Sequence, residues 1–240
     1  MKYPVDLHTH TIVSGHAYTT LTENINFAIE KGLKVLGTSE HAPSMPGSPH
    51  IWYFENMLKV PRKIKDLIIL RGCEANIKDY EGNVDIDSKG YANLDYMLAS
   101  VHKEVLEGGT IEENTRAYVK ALDNPMVFIL GHIGNPIFPV DYETVVRAVK
   151  EKDKIIEINN ASFGASRVGS KENCIEVAKL CKKYGAKIIL SSDAHICYDI
   201  GNFSVSEEIL NSIDFPEELI MNIDCRIIDY LKSKGRLEDL

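Results

Sequence analysis

Side chains that commonly bind metal ions recur at the ends of short apolar runs along this chain. The first run ends in Asp6-Leu7-His8-Thr9-His10, where His8 and His10 alternate along a predicted strand and so project from one face. Similar positions follow further along, and one more histidine lies in the loop after the first run. The candidate ligands are His8, His10, His16, His41, Glu74, His102, His132, Asp193 and His195. Their convergence would need a fold that brings many strand ends together.

Short apolar runs alternate with segments of helical periodicity from one end of the chain to the other. The runs predicted to be buried strands are Val5–His8, Val35–Ser39, Leu67–Arg71, Tyr96–Val101, Val127–Leu130, Ile155–Ile158 and Lys187–Leu190. The predicted helices are Thr22–Lys31, Asn56–Lys65, Ile111–Ala121, Tyr142–Glu151, Lys171–Tyr184, Val205–Ser212 and Asp224–Lys234. Because no linker or low-complexity stretch divides the chain, we predict a single domain spanning residues 1–240.

This alternation is compatible with an open doubly wound sheet or with a closed barrel, and periodicity alone does not choose between them. The candidate ligands favour the barrel, because only a barrel gathers the C-terminal ends of so many strands around one mouth. In an open sheet the same residues would be spread along an edge. We therefore predict an α/β fold, a TIM-like distorted (β/α)7 barrel with its metal site at the C-terminal ends of the strands.

Composition narrows the class of protein further. The net charge is −8, and the chain lacks the basic stripe that is typical of nucleic-acid-binding surfaces. Five cysteines without CxxC spacing match neither a disulfide framework nor a zinc knuckle. The first apolar run begins at Val5, which leaves no room for a signal peptide, and no run reaches the length of a membrane span. We expect a cytoplasmic protein that does not bind membranes, and its charge argues against nucleic acid as a partner.

The number of candidate ligands argues for metal binding. A lone histidine at a strand end usually has a structural role, but nine polar groups at one mouth would be costly to bury unless they were paired or metal-bound. Imidazole and carboxylate ligands without thiolate suit zinc, and also manganese or iron. At three or four protein ligands per catalytic ion, they would fill two to three sites. Two carboxylates against three divalent ions leave a cationic mouth, which favours a phosphate ester as substrate.

Two other residues near these motifs, Arg167 and His50, have two interpretations each. Arg167 lies in a loop rich in glycine and serine between a strand and a helix, where its guanidinium could reach the mouth and hold phosphate oxygens. It could also be a surface arginine near a helix start. His50 belongs to a proline-rich loop, residues 42–52, that could wall the entrance, or it is a solvated loop residue. Cys73, next to Glu74, is predicted to face the core.

These motifs closely resemble the PHP (polymerase and histidinol phosphatase) superfamily, and within it the YcdX-type stand-alone phosphatases. The resemblance covers essentially all 240 positions. It is carried by Asp6-Leu7-His8-Thr9-His10, Arg71-Gly72-Cys73-Glu74-Ala75-Asn76, Glu157-Ile158-Asn159-Asn160, Ser192-Asp193-Ala194-His195 and Asp214-Phe215-Pro216. It implies a distorted seven-stranded barrel with a trinuclear site that is usually occupied by zinc.

The resemblance also implies a grouping of the ligands around three divalent ions, zinc before manganese or iron. The first ion would be held by His8, His10, Glu74 and Asp193. Glu74 would bridge it to a second ion that His102 and His132 also hold, and the third would take His16, His41 and His195. Arg167 would contact the substrate phosphate. Glu74, Asp193 and Arg167 are therefore the residues expected to be catalytic.

The implied reaction is the hydrolysis of a phosphate monoester by a hydroxide that bridges two ions. The expected partner is a small phosphorylated metabolite, and assembly into a homo-oligomer such as a trimer is a further expectation. Three alternatives stay open: a phosphodiesterase or 3′-exonuclease, a histidinol-phosphate phosphatase, and a non-catalytic metal-binding domain. The acidic net charge argues against the exonuclease.

Overall fold

The computed structural model describes the backbone of residues 1–240 and every side chain except that of Ser166. The strands are β1 (Val5–Asp6), β2 (Val35–Thr38), β3 (Lys63–Ile64), β4 (Leu67–Asn76), β5 (Tyr96–Ser100), β6 (Val127–Leu130), β7 (Ile155–Asn159) and β8 (Lys187–Ser191). The helices are α1 (Leu21–Lys31), α2 (Trp52–Glu55), α3 (Ile111–Ala121), α4 (Tyr142–Glu151), α5 (Ser170–Tyr184), α6 (Ser204–Ser212) and α7 (Arg226–Ser233). Short 3₁₀ helices occupy several of the intervening loops.

Within these residues, seven parallel strands form a sheet in the order β1-β2-β4-β5-β6-β7-β8. Almost all of their residues are buried, as expected when helices cover the outside and side chains fill the inside. Spatial order follows chain order, so the sheet curls into a nearly closed barrel. The predicted (β/α)7 barrel is confirmed.

The barrel closes along a seam between β1 and β8, where an isolated bridge and side-chain hydrogen bonds join the two strands and the residues that follow them. Thr9 and Ala194 form a parallel bridge just beyond the strand ends. At the end of β1, the Asp6 carboxylate accepts hydrogen bonds from the Ser192 hydroxyl at 2.5 Å and the Ser192 backbone N–H at 3.2 Å. These bonds tie the residues after β8 to those around β1, so the last strand of the chain is fixed against the first.

Asn222, which comes from the loop before α7, completes this seam. Its side-chain amide donates to the carbonyl oxygens of Val5 and Leu190, both at 2.8 Å, and its Oδ1 accepts the Leu190 N–H at 2.8 Å. Asn222 is fully buried. One side chain therefore satisfies backbone groups on β1 and β8 that a strand ladder would otherwise satisfy.

Tyr96 fills part of the barrel interior. Its hydroxyl donates to the Leu7 carbonyl oxygen at 2.6 Å. The ring occupies space left by two glycines: a Cβ on Gly37 would lie 2.0 Å from the Tyr96 hydroxyl oxygen, and one on Gly72 would lie 2.3 Å from ring carbon Cζ. These two glycines are required because the tyrosine passes so close to their backbones.

The predicted helix Asn56–Lys65 is wrong. The chain forms the short helix α2, a 3₁₀ turn over Met57–Lys59, and then β3, which pairs antiparallel with β4. Pro61 explains the break, because the residue before a proline is disfavoured in helical conformation, and Val60 is extended with ψ 122°. Lys65 then adopts φ +52° in the tight turn between β3 and β4.

The other six predicted helices lie within two residues of their predicted limits, and three of them begin at side-chain caps. Thr20 and Thr110 form capping boxes with Glu23 and Glu113 at the starts of α1 and α3. Asp141 caps α4 by accepting the Thr144 N–H. None of the helices described here is both long enough and apolar enough to cross a membrane.

Candidate metal centre

The nine predicted ligands lie at the end of the barrel where the parallel strands finish. Most of them follow a strand within a few residues, whereas Glu74 lies inside the long strand β4. Seven are buried; the exceptions are His16, which is exposed, and His195, which is half-buried. The fold therefore brings together side chains that are up to 187 positions apart in the chain, the interval from residue 8 to residue 195.

Glu74 lies at the centre of the cluster. Its Oε1 is 2.9 Å from His132 Nε2 and 3.3 Å from His102 Nε2. Its Oε2 is 2.7 Å from His41 Nδ1 and 3.2 Å from His8 Nε2. Each carboxylate oxygen faces a different pair of imidazoles. Such an arrangement suits a carboxylate that serves two ions at once.

Asp193 provides the second carboxylate. Its Oδ1 is 3.2 Å from His10 Nε2 and 3.4 Å from His8 Nε2. Three groups of residues have ligand atoms that all lie within 4.8 Å of one another: His8, His10 and Asp193; His10, His41 and His195; and His41, Glu74 and His102. His10 and His41 each belong to two of these groups. Distance alone therefore gives overlapping ligand sets, whereas the family resemblance assigns each of these histidines to one ion.

His16 and His195 form the exposed edge of the cluster. Their Nε2 atoms are 2.9 Å apart, and the His195 Nδ1 lies 2.9 Å from the Asp193 carbonyl oxygen. The His16 ring also stacks on that of His41, with centroids 5.1 Å apart. These contacts connect the two outer histidines to the buried ligands.

Many of the ligand atoms are buried without a hydrogen-bond partner. They are His8 Nε2, His10 Nε2, His41 Nδ1, Glu74 Oε2, His102 Nε2 and Asp193 Oδ1. Glu74 Oε2 and His41 Nδ1 are only 2.7 Å apart but lack hydrogen-bond geometry, as expected if both point at a shared position. Unpartnered buried polar atoms are costly, and a bound cation would supply the missing partner. These residues therefore fit a metal centre of imidazole and carboxylate ligands.

The surroundings of Glu74, Asp193 and His132 hold these three ligands in the protonation states that bind cations. Burial raises the pKa of Glu74, but the neighbouring imidazoles, that of His8 foremost, outweigh burial and hold this pKa well below its usual range. Burial likewise raises the pKa of Asp193, and His8 and Arg167 together lower it well below normal. Burial lowers the pKa of His132 to about 4, and Arg167 adds to the effect. Both carboxylates are thus ionised and His132 is neutral at pH 7.

Glu157 is a buried carboxylate beneath the ligands that the sequence-based site does not include. One of its oxygens lies 2.6 Å from His8 Nδ1, and the other accepts the His132 backbone N–H at 2.8 Å. Asn159 donates to Glu157 and to Asp193, both at 3.1 Å. Hydrogen bonds of this kind orient metal-binding histidines and select the ring nitrogen that faces the metal.

A second buried carboxylate, Glu40, supports the other side of the cluster. It accepts the Ser14 hydroxyl at 2.6 Å and the Thr11 N–H at 3.1 Å. Ser14 in turn lies 3.4 Å from His10 Nδ1 and accepts the His41 backbone N–H at 3.2 Å. Glu40 thereby fixes one hydroxyl that contacts two predicted ligands.

The sequence contains a signal for both supporting carboxylates. Glu157 interrupts the apolar run Ile155-Ile156-Glu157-Ile158, and Glu40 directly precedes His41 after β2. An acidic residue inside a buried strand needs a buried partner. Glu157 is therefore recognisable in the sequence as an unusual buried acid, but the sequence does not indicate which histidine it contacts. Asn76, whose Oδ1 lies 2.7 Å from His102 Nδ1, also supports a predicted ligand, but it has no comparable signal because an asparagine carries no charge.

Arg167 reaches the cluster from the loop between β7 and α5. Its Nη1 donates to Asp193 Oδ2 at 2.9 Å, and only 14% of its side chain is exposed. It lines a cavity of about 580 Å³ at the barrel mouth together with His16, His41, His102, Asp193 and His195. Arg167 therefore lines the cavity with most of its side chain buried and is not a surface arginine.

Two other residues lie outside the ligand cluster. His50 is exposed and packs edge-on against Trp52, with ring centroids 4.9 Å apart. Its loop nevertheless contributes Met45 to the wall of the cavity. Cys73 is fully buried in the hydrophobic core, as predicted for the residue that faces away from Glu74. Burial raises the pKa of its thiol well above normal, so the group is not a thiolate ligand.

Comparison with known proteins agrees with this architecture. A probable phosphatase of Clostridium acetobutylicum is 56% identical over 240 residues, covering 100% of this chain and 98% of that protein. A probable phosphatase of Clostridium novyi is also 56% identical, over 241 residues, with 100% and 99% coverage. A solved histidinol phosphate phosphatase from Lactococcus lactis, complexed with zinc, L-histidinol and phosphate, superposes with a TM-score of 0.60 at 18% identity, covering 88% of this chain and 94% of that one.

The likeness to the Lactococcus lactis structure, at 18% identity, shows a similar fold only. The matches in sequence show family membership. The family model of the PHP domain matches residues 6–163, which include six of the predicted histidine ligands and Glu74. The full-length identity to the clostridial proteins extends the relationship to the end of the chain. The chain therefore belongs to the PHP domain family.

Proposed function

We propose that this protein is a metal-dependent phosphatase that hydrolyses phosphate monoesters at a three-ion centre of the zinc type. The observation that carries the proposal is the set of buried, unpartnered ligand atoms that open onto a cavity lined by a buried arginine. The names of the clostridial relatives, probable phosphatases at 56% identity over the full chain, support the reaction class. Zinc, manganese and iron all suit the ligand types.

The proposed metal centre has three groups of ligands, one for each ion, and a set of carboxylates that orients them. In the proposed grouping, His8, His10, Glu74 and Asp193 hold the first ion, Glu74, His102 and His132 the second, and His16, His41 and His195 the third. When bound, these ions would supply Lewis acidity and positive charge for the attack of water on phosphorus. The buried carboxylates orient the imidazoles from below, which keeps the ligand nitrogens aimed at the mouth.

Charge at the mouth favours an anionic substrate. Four carboxylates are buried around the ligands, namely Glu40, Glu74, Glu157 and Asp193. Three divalent ions and the Arg167 guanidinium outweigh them, so the filled site would keep a net positive charge. The N–H groups of Arg167 that do not contact Asp193 are available to phosphate oxygens on the cavity side.

The shape of the cavity favours a small substrate over a polynucleotide. Met45, Ile137 and Phe138 form apolar walls, and Lys103 and Glu104 lie at the rim. A volume of about 580 Å³ is within the usual range for small-molecule sites. We therefore infer a small phosphorylated metabolite, of which the phosphate contacts the metal centre and Arg167.

The reaction class is tested with paired chromogenic esters. After loading with zinc, manganese or iron, we expect hydrolysis of p-nitrophenyl phosphate to be much faster than hydrolysis of bis(p-nitrophenyl) phosphate. A faster reaction with the diester would indicate a phosphodiesterase. Silence on both esters with a full complement of metal would indicate a non-catalytic metal-binding domain. A panel of phosphorylated metabolites that includes histidinol phosphate then defines the natural substrate.

Replacing Arg167 by alanine should weaken phosphate recognition and leave the metal content unchanged. Asp193 keeps a second donor in Asn159, so the ligand itself stays oriented. Loss of a charge-assisted contact of ~1.5–3 kcal/mol should raise KM about tenfold or more if the contact exists in ground and transition states, and should lower kcat if it exists only in the transition state.

Steady-state kinetics and elemental analysis of the same Arg167→Ala preparation check this result. Arg167→Lys should recover only part of the loss, because an ammonium group cannot hold two oxygens as a guanidinium does. Arg147→Ala, at an exposed arginine of α4, is the matched control and should behave as wild type. Wild-type kcat, KM and inhibition by inorganic phosphate in Arg167→Ala would remove Arg167 from the substrate site.

A further inference from the structure

We propose that Glu157 is a positioning residue that holds two metal ligands at once, the ring of His8 and the backbone of His132, and so couples two ions of the centre. This inference rests on the proposed metal centre but not on the identity of the reaction. Its basis is the geometry of one fully buried carboxylate inside β7, with the two oxygens facing different ligands.

One oxygen of Glu157 fixes the position of the proton on the His8 ring. An ionised carboxylate only accepts hydrogen bonds, so the 2.6 Å contact requires the proton on His8 Nδ1. In the neutral ring the other nitrogen, Nε2, then carries the free lone pair, and it faces Glu74 and Asp193 without a hydrogen-bond partner. Glu157 thus selects the form of His8 that can bind a cation through Nε2.

Glu157 also holds the backbone of His132. His132 has φ +29°, a backbone conformation that residues other than glycine rarely adopt and that stores strain. The other oxygen of Glu157 accepts the His132 N–H at 2.8 Å, which anchors this residue in its strained position. From there the His132 ring reaches Glu74, with Nε2 2.9 Å from Oε1.

A glutamine at this position can satisfy only one of the two ligands. If its oxygen faces the His132 N–H, its amide N–H groups face His8 Nδ1 and favour the form of His8 with Nε2 protonated, which cannot bind metal. If its oxygen faces His8, its amide N–H groups meet the backbone N–H of His132, and a backbone donor cannot be reversed. Either orientation misplaces a ligand, although size and shape hardly change.

The test measures zinc binding and one proton resonance in Glu157→Gln. Zinc affinity, measured against a competing chelator, should fall about tenfold or more, and fewer ions should remain bound at a fixed free zinc concentration. In zinc-loaded wild type, the strongly hydrogen-bonded Nδ1 proton of His8 should give a low-field ¹H resonance, assigned by its loss in His8→Asn. In Glu157→Gln this resonance should disappear or move upfield.

Asp95→Asn is the matched control, because Asp95, just before β5, is similarly buried but its carboxylate contacts Arg62 and the Arg71 backbone N–H, and no predicted ligand. It should lower thermal stability and leave the His8 resonance in place. Glu157→Asp, which keeps the charge and shortens the side chain by one methylene, should bind zinc with intermediate affinity. It serves as the test variant if Glu157→Gln fails to fold.

Wild-type zinc affinity or an unchanged His8 resonance in the Glu157 variants would overturn this role, and so would equal losses of zinc affinity in Asp95→Asn. Wild-type protein that binds zinc but hydrolyses neither ester would contradict the proposed function and leave the role of Glu157 intact. Wild-type protein that binds no zinc would contradict both.

Discussion

Replacement of Glu74 by glutamine is expected to remove metal from the centre and reduce phosphatase activity by more than about a hundredfold. The reason is that both carboxylate oxygens face imidazole ligands, and an amide nitrogen in place of either oxygen is a donor that cannot bind a cation. Loss of a hydrogen-bond partner behind a metal ligand typically costs 10–100-fold in metal affinity or activity, so loss of a bridging ligand should cost more. Elemental analysis and p-nitrophenyl phosphate hydrolysis of one preparation measure both effects.

Two further variants frame the Glu74→Gln result. His16→Ala removes an exposed ligand that is assigned to a single ion, and should lose less metal and less activity than Glu74→Gln. His50→Ala removes an exposed histidine outside the cluster and should retain all its metal and activity. Near-full metal content and activity in Glu74→Gln would show that Glu74 bridges no ions.

Removal of the metal by a chelator is expected to abolish activity and lower the melting temperature by about 10 °C. One site saturated at 1,000 times its Kd stabilises the folded state by ~4 kcal/mol, and each kcal/mol is worth roughly 2–4 °C in Tm for a chain of this size. The ion-free protein also regains buried ligand atoms without partners. Scanning calorimetry of stripped and reloaded protein measures the shift.

The loaded state should contain about three divalent ions per chain. Zinc, manganese and iron are added separately to stripped protein, and the ion that restores both Tm and activity identifies a competent metal. His50→Ala serves again as the reference for full loading. One ion or fewer per chain after reconstitution with an excess of each metal would rule out the three-ion centre.

The barrel could be predicted from the sequence because its strands are buried on both faces. Runs such as Val127–Leu130 are continuously apolar, and the observed strand has those same limits. The helices Ile111–Ala121 and Tyr142–Glu151 also match, because each begins at a capping residue, Thr110 or Asp141. Local signals of this kind depend on neighbouring residues only.

The parts that could not be predicted depend on contacts between distant residues. The strand β3 has two residues, too few for any periodicity, and exists because Lys63 and Ile64 pair with β4. The partnership of Glu157 with His8 joins positions 149 apart. Alternation along a strand indicates that His8 faces the mouth, but the distances that place His10 and His41 in two overlapping groups come only from the folded chain.

The seam between β1 and β8 has a consequence for protein synthesis. His8 and His10 leave the ribosome early, but their partners Asp193 and His195 and the seam residue Asn222 come from the last quarter of the chain. Translation proceeds at roughly 5–20 residues per second, so the first histidines wait on the order of ten seconds or more for the rest of their site. The growing chain therefore cannot assemble the full metal centre until the segment that carries Asp193, His195 and Asn222 has left the ribosome.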